Sequence, residues 1–370
     1  MKFKSLLVFS ALLAVIAVSC SKENASDVKF TGIQVEVGET DSRENRLLVL
    51  NEGVYPGAST LDLLDFRANT YSADVFGQSN PDVAQGIGST GNEIALVGGK
   101  VWCLMNASNQ VAVLNANTLK LEKVLSIESP RHIDADDTHA YITSYGAAVY
   151  GAESVNGYLY KVDLSNYTYE MLEVGPQPEG VAQHRNYVYV AISGGYNAVK
   201  DNRIMVVEKS GFKVGKTFNL PVSNLNMLFE DADNLWISTY DTYGPAPDYT
   251  FEAAAGLYSI AYDGTGFKAV DGVSPTYTAM CRDFMYAFTY DSFNIVSEES
   301  VKSIPLAGTA FEGIYPGGMV VTSKRDNSNG DIIVSAAQYT GPGTLICADQ
   351  NLKLKWKLEI GAGAGHLLLY

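Results

Sequence analysis

SPRHIDADDTHAYITSYGAAVYGAESVNGYLYKVDLSNYTYEMLEV, residues 129–174, decides the fold. SPRHIDAD reads as one strand, THAYITSY as a second, GYLYKVDL as a third and TYEMLEV as a fourth, because apolar or aromatic residues alternate with small or polar ones and turn residues separate the runs. The same sentence recurs along the chain. Second strands are legible as RLLVLNEG (from Arg46), KVWCLMN (Lys100), YVYVAIS (Tyr187), NLWISTY (Asn234), FMYAFTY (Phe284) and DIIVSAA (Asp331). Third strands follow, several ending in Asp or Asn turns such as YDGTG, where those residues tolerate a left-handed backbone. Fourth strands such as TYSADVF, KLEKVLSI and FKVGKTFNL are more polar, as suits an exposed sheet edge.

Four short strands in a period of about 40–50 residues describe the blades of a β-propeller. Innermost strands open the units at SPRHIDA, PEGVAQH, NLNMLFE, YTAMCRD and GIYPGGM. The first unit has none before Arg46. The C-terminal run HLLLY, ending at Tyr370, can supply it and close the ring. The expectation is an all-β, seven-bladed propeller over residues 46–370, with antiparallel four-stranded blades and six blades as the alternative count.

The N-terminus reads differently. Lys2 and Lys4 precede the apolar run Leu6–Val18, then Ser19 and Cys20. This is the pattern of a secretory signal, too short to span a bilayer. AVSC resembles a bacterial lipobox, so residues 1–19 are expected as a signal peptide, Cys20 as the lipidation site and residues 20–45 as a flexible tether. A lipid-anchored protein on the outer membrane, exposed at the cell surface, follows from that reading, with several acyl chains giving stable attachment. The net charge of −15 argues against nucleic acid as a partner. Cys103, Cys281 and Cys347 fall on strands of different units and read as small buried hydrophobes.

Topology sorts the loops onto two faces. Those joining second to third strands share one face with the links between blades, and they are long and rich in aromatic residues. Tyr55, Tyr145, Tyr150, Tyr196, Tyr240, Tyr243, Tyr249, Phe251, Tyr290 and Tyr339 gather there. Tyrosine offers flat apolar area, a hydroxyl and little rotamer entropy to lose, which suits a binding platform. The bland alternative is that about half of these rings only pack loops together. Polar candidates on the same face are Gln78, Asn80, Asp82, Gln85, Arg131, His132, Glu179, Asn224 and Asn226. Arg131 either meets the ligand or pairs with an acid. His132 and His366 fall on inner strands of different units, where a shared site competes with two satisfied buried imidazoles. No HExxH, GxSxG, paired-carboxylate or phosphate-loop pattern is present, so neither a catalytic constellation nor a metal or other cofactor is expected.

Residues 47–76, LLVLNEGVYPGASTLDLLDFRANTYSADVF, resemble the opening blade of the YncE-like propeller lipoproteins of gut Bacteroidetes, whose first strand ends in Asn-Glu-Gly. SPRHI after the second blade is similar to theirs as well. This group includes the corrinoid-binding BtuG lipoproteins. The resemblance implies a non-enzymatic surface protein, monomeric in its propeller, that captures a corrinoid (vitamin B12) or another large small-molecule ligand and passes it to a TonB-dependent outer-membrane transporter. The alternatives are a protein- or peptide-binding accessory of another nutrient importer and, further off, a propeller lactonase or lyase.

Overall fold

The structure, a computed structural model, describes residues 30–37, 42–54, 57–147, 155–195, 197–245, 247–338 and 340–370. Seven antiparallel sheets stand in a ring. The quoted stretch is the third blade: Pro130–Ala135, His139–Ser144, Asn156–Asp163 and Tyr169–Pro176, in order from the axis outward. Blades 4 to 7 open with inner strands Pro178–His184, Leu225–Glu230, Tyr277–Cys281 and Pro316–Ser323, and blade 2 opens with Gly91–Val97.

Each turn has a local cause. The third-to-fourth turns of blades 1, 2, 3, 5 and 7 close on Asx bonds, as where Asn115 Oδ1 accepts from the Asn117 and Thr118 amides. On the lower face, Asp136 caps the turn into the second strand of blade 3 and accepts the Tyr141 hydroxyl. Asp231 does the same in blade 5 and accepts Trp236 Nε1. One carboxylate thus fixes both the turn and the first large ring of the strand that follows it.

The core is divided as the ring is divided. Seven clusters of buried side chains lie at the seven seams, each drawing on two neighbouring blades. Small residues let the inner strands approach across these seams. A Cβ on Gly180 would stand 2.5 Å from the Leu228 amide nitrogen, and one on Gly317 would stand 2.4 Å from the Ala364 carbonyl oxygen. Both distances are shorter than real Cβ contacts.

Ring closure is as expected. Ala364–Leu369 pairs with Arg46–Asn51 and becomes the inner strand of blade 1. Two details around that blade differ from the sequence reading. TYSADVF is not one strand: Thr70–Ser72 ends it, and Asp74, at φ 46° with its side chain accepting from Gly77, caps a short helix over Val75–Ser79. Residues expected in the tether are also packed. Ile33–Gln34 adds a fifth strand outside Thr70–Ser72, Val37 is buried at the seam of blades 7 and 1, and Ser42 bridges to Lys324. The apolar run Leu6–Val18 and Cys20 lie outside the described residues. Among the described residues, no helix is long and apolar enough to cross a membrane.

Asp62 ties the closure together. Buried on the third strand of blade 1, it accepts from Asn51 Nδ2 at 2.7 Å, the Tyr71 hydroxyl, the Asp74 amide and the Gly361 amide. Removing an acceptor from such a cluster leaves several buried donors unpaired, each costing about 1–3 kcal/mol. Asp62→Ala is therefore expected to lower unfolding free energy by roughly 3 kcal/mol or more, read from the urea midpoint at unchanged slope.

Candidate functional site

The links between blades and the loops from second to third strands form the upper face. Beneath it the inner strands enclose a cavity of about 400 Å³ on the ring axis. Blade 2 contributes Asn92 and Glu93, blade 3 Arg131 and His132, blade 5 Asn226 and Met227, blade 6 Tyr277 and Met280, blade 7 Met319 and blade 1 His366. Tyr240 reaches into the same opening from an upper loop.

Glu179, on the inner strand of blade 4, organises this mouth. It is 2 % exposed. Arg131 donates to it from Nε at 3.1 Å and Nη2 at 3.2 Å, a two-point pairing that fixes the guanidinium plane. The Tyr145 hydroxyl also donates to Glu179, and the Tyr145 ring lies 4.5 Å beneath the guanidinium carbon. The remaining Arg131 arm reaches Asn92 Oδ1 at 2.5 Å. His132 Nδ1 lies 3.0 Å from Glu93 Oε2, while its Nε2 is 3.4 Å from Glu179 Oε2, near enough for attraction but outside hydrogen-bond geometry. Burial alone would raise the Glu179 pKa, yet the charge of Arg131 and the contact with His132 bring it down to about 2. Burial would likewise lower His132, and its two carboxylate neighbours raise it to about 9. His366 shares the cavity but has no such neighbour. Burial, then the charges of His132 and Arg131, push it down to about 3, so it is neutral. Glu52, where the Asn-Glu-Gly motif meets the mouth, is raised by burial and drawn back by Arg131.

Arg131 therefore pairs with an acid, whereas His132 is held by Glu93 at Nδ1 only and its buried Nε2 has no hydrogen-bond partner. Tyr145 is buried under Arg131 rather than standing on the rim. Gln78 and Asn80 are not at the mouth. The Asp74-capped helix carries them down the side of the ring, where Gln78 bonds the Thr31 backbone in both directions and Asn80 holds the Leu119 carbonyl and the Leu121 amide. Asn226 does line the cavity. Asn224 binds back to Asp241 and Thr242 within its own blade. The expectations for Tyr55, Tyr150, Tyr196 and Tyr339 concern positions outside the described residues. Sequence reasoning missed Glu52, Asn92, Glu93 and Tyr315. Tyr315 precedes the inner strand of blade 7 and is 65 % exposed.

The rim keeps the predicted aromatic character. Thr242–Tyr243 and Phe251–Ala253 form a small hairpin above blade 5, with the Tyr243 and Phe251 rings edge-on at 5.6 Å. Tyr240, Tyr243, Tyr249, Phe251, Tyr290 and Tyr315 are exposed there, as are Val54, Val155 and Val199 on the upper loops of blades 1, 3 and 4. Isolated exposed apolar side chains need no explanation, but a cluster on one face marks a contact surface. Among the described residues, no group of three His, Cys, Asp or Glu side chains is arranged to hold a metal ion.

No protein-family model matches the chain, and no curated protein matches it. Among solved structures it is similar to hydrazine synthase of Kuenenia stuttgartiensis, with a TM-score of 0.57 at 11 % identity over 75 % of this chain and 88 % of that one. It is similar to apo AztD of Citrobacter koseri, with a TM-score of 0.53 at 12 % identity over 88 % and 97 %. It is also similar to the dihydro-heme d1 dehydrogenase NirN in complex with DHE, with a TM-score of 0.53 at 10 % identity over 93 % and 78 %. The likeness is one of fold. That fold hosts enzymes as well as other proteins, so it neither assigns nor excludes catalysis.

The charge cluster gives a signed pH dependence. His132, raised from 6.5 to about 9, stabilises the fold fully below about pH 6.5 and loses that contribution as pH rises through 9. Glu179, lowered from 4.5 to about 2, contributes fully above about pH 4.5 and loses it as pH falls through 2. The difference in Tm between the wild type and His132→Gln is expected to be largest between those limits and to shrink toward alkaline pH. Glu179→Gln leaves Arg131 buried without its carboxylate and is expected to cost roughly 3–5 kcal/mol in urea unfolding at about pH 6.

Proposed function

We propose that the upper face captures a large, flat, partly polar ligand. Its best chemical match is a corrinoid, as the resemblance to the YncE-like lipoproteins implies. The observation that carries this reading is the arc of exposed aromatic side chains beside a polar mouth. A corrinoid presents a broad apolar ring edged by amide arms. Rings such as Tyr240, Tyr243, Tyr249 and Tyr290 can cover the former, while Asn226 and the backbone of the links can pair with the latter. Arg131 is held rigid by Glu179, Tyr145 and Asn92, so the mouth is preorganised and loses little entropy on binding. The protein would work as a lipid-anchored capture subunit at the cell surface, releasing its cargo to a TonB-dependent transporter, with no bond made or broken.

Titration with cyanocobalamin followed by absorbance is expected to saturate in the micromolar range or below. Absence of binding at micromolar ligand would reject the corrinoid. Tyr243→Ala combined with Tyr249→Ala removes two stacking contacts worth about 1 kcal/mol each, so affinity is expected to fall roughly thirtyfold. Tm should hardly change, since both rings are exposed. Cys20→Ser is expected to move the protein from the membrane fraction to the soluble fraction.

A further inference from the structure

The aromatic rim is not evenly spread. Above blades 5 to 7 it forms an arc of Tyr243, Tyr249, Phe251, Tyr290 and Tyr315, between 45 % and 73 % exposed. Tyr290 lies within electrostatic reach of Asp241, Tyr315 and Tyr243, so the arc is continuous across two blades and the link to the third. These rings stand on a hairpin, a tight turn and a link, outside the axial cavity, and present a broad open surface. An open surface of that breadth offers a protein partner the aromatic contact area that interfaces favour.

Charge decides what kind of partner. The upper loops and links of these blades, residues 240–256, 270–276, 289–291, 306–315 and 337–342, contain no Lys, Arg or His. Asp241, Asp248, Glu252, Asp271 and Asp291 lie in the same segments, with Asp241 in electrostatic reach of Tyr290. Among the described residues, none of these five carboxylates forms an ion pair, and the one ammonium in electrostatic reach of them is Lys200, beside Glu252 on the upper loop of blade 4. Elsewhere the chain does pair its acids across blades, as Arg131 with Glu179 and Lys209 with Asp136. Aromatic faces and carboxylates outside an ion pair attract the same group, a cation with an apolar stem, through cation–π and charge-assisted contacts.

We propose that the arc over blades 5 to 7 is a docking surface for an arginine- or lysine-bearing segment of a partner protein. The aromatic rings give it area, and the carboxylates give it sign and approach rate. The proposal does not depend on the identity of the cargo.

The test uses the whole protein and an arginine-rich dodecapeptide, with its citrulline counterpart as the uncharged control. Because the chain carries a net charge of −15, general attraction must be separated from docking. Two triple variants do this at equal charge: Asp248→Asn/Glu252→Gln/Asp291→Asn on the arc, and Asp137→Asn/Asp233→Asn/Asp283→Asn on exposed lower turns. The expected result is saturable binding of the arginine peptide, weakened at least about tenfold by the arc variant, changed by less than about twofold by the lower variant, and weakened further between about 50 and 200 mM salt. Tyr290→Ser with Tyr315→Ser, which leaves every charge in place, is expected to weaken it about tenfold as well. Equal losses in the two charge variants, or equal binding of the citrulline peptide, would overturn the proposal. Saturation by free argininamide at the same concentration would make the arc a small-cation site and also overturn it. The arc charge variant keeps every ring, so its titration with cyanocobalamin reports on the corrinoid reading separately.

Discussion

Everything in this molecule depends on one pairing, that of Arg46–Asn51 with Ala364–Leu369. A propeller blade cannot bury its own apolar faces, since each side chain that points off the sheet needs the next blade to cover it. With seven seams and seven core clusters, no seam is spare. The last seam closes only when the two ends of the folded chain meet. Closure is therefore the step of longest sequence separation, and loop-closure entropy makes such contacts the latest and slowest to form. The structure reinforces it from both sides. The C-terminal strand closes the inside, while Ile33–Gln34 edges the outside of blade 1 and residues 42–45 reach the ends of the inner strands, with the Arg43 amide bonded to Ser323 on blade 7 and the Asn45 amide to Tyr370. Asp62 gathers four donors at the same place.

The mouth inherits its geometry from the ring. Inner strands of adjacent blades lie side by side at the same height, so residues about one repeat apart become neighbours. Asn92 and Arg131, Glu93 and His132, and Arg131 and Glu179 are separated by 39, 39 and 48 residues. The charge cluster is thus the repeat seen down its axis. Acid, base and acid on the inner strands of blades 2, 3 and 4 tie those strands to one another at the mouth.

That geometry also explains what was legible beforehand. Strand identity and blade count follow from alternation and turn residues, which are local properties. Loop sorting follows from topology, and the exposed rings of Tyr243, Tyr249, Phe251 and Tyr290 bear it out. Pairing within the mouth was harder, because it requires aligning heights between units. Arg131 and His132 were visible as polar residues on an inner strand, but Glu93 sits on the one inner strand that no Pro or aromatic marker announces. Gln78 and Asn80 misled for a different reason. Their link is rich in polar residues like the others, and only the left-handed backbone at Asp74 shows that it turns down the side of the ring into a helix. Tyr145 misled because a ring beside a buried guanidinium is worth more than a ring in water.

The N-terminal segment has a mechanical consequence. Its described part begins at Phe30, on the flank of blade 1 and away from the mouth. If the chain is fastened to a surface at Cys20, ten residues separate anchor and ring, a leash of at most roughly 33–36 Å. The ring would then hang by its flank, like a wheel held at the tyre rather than at the hub. Both faces would stay clear of the attachment, and the mouth could swing toward a neighbour lying beside it in the same surface.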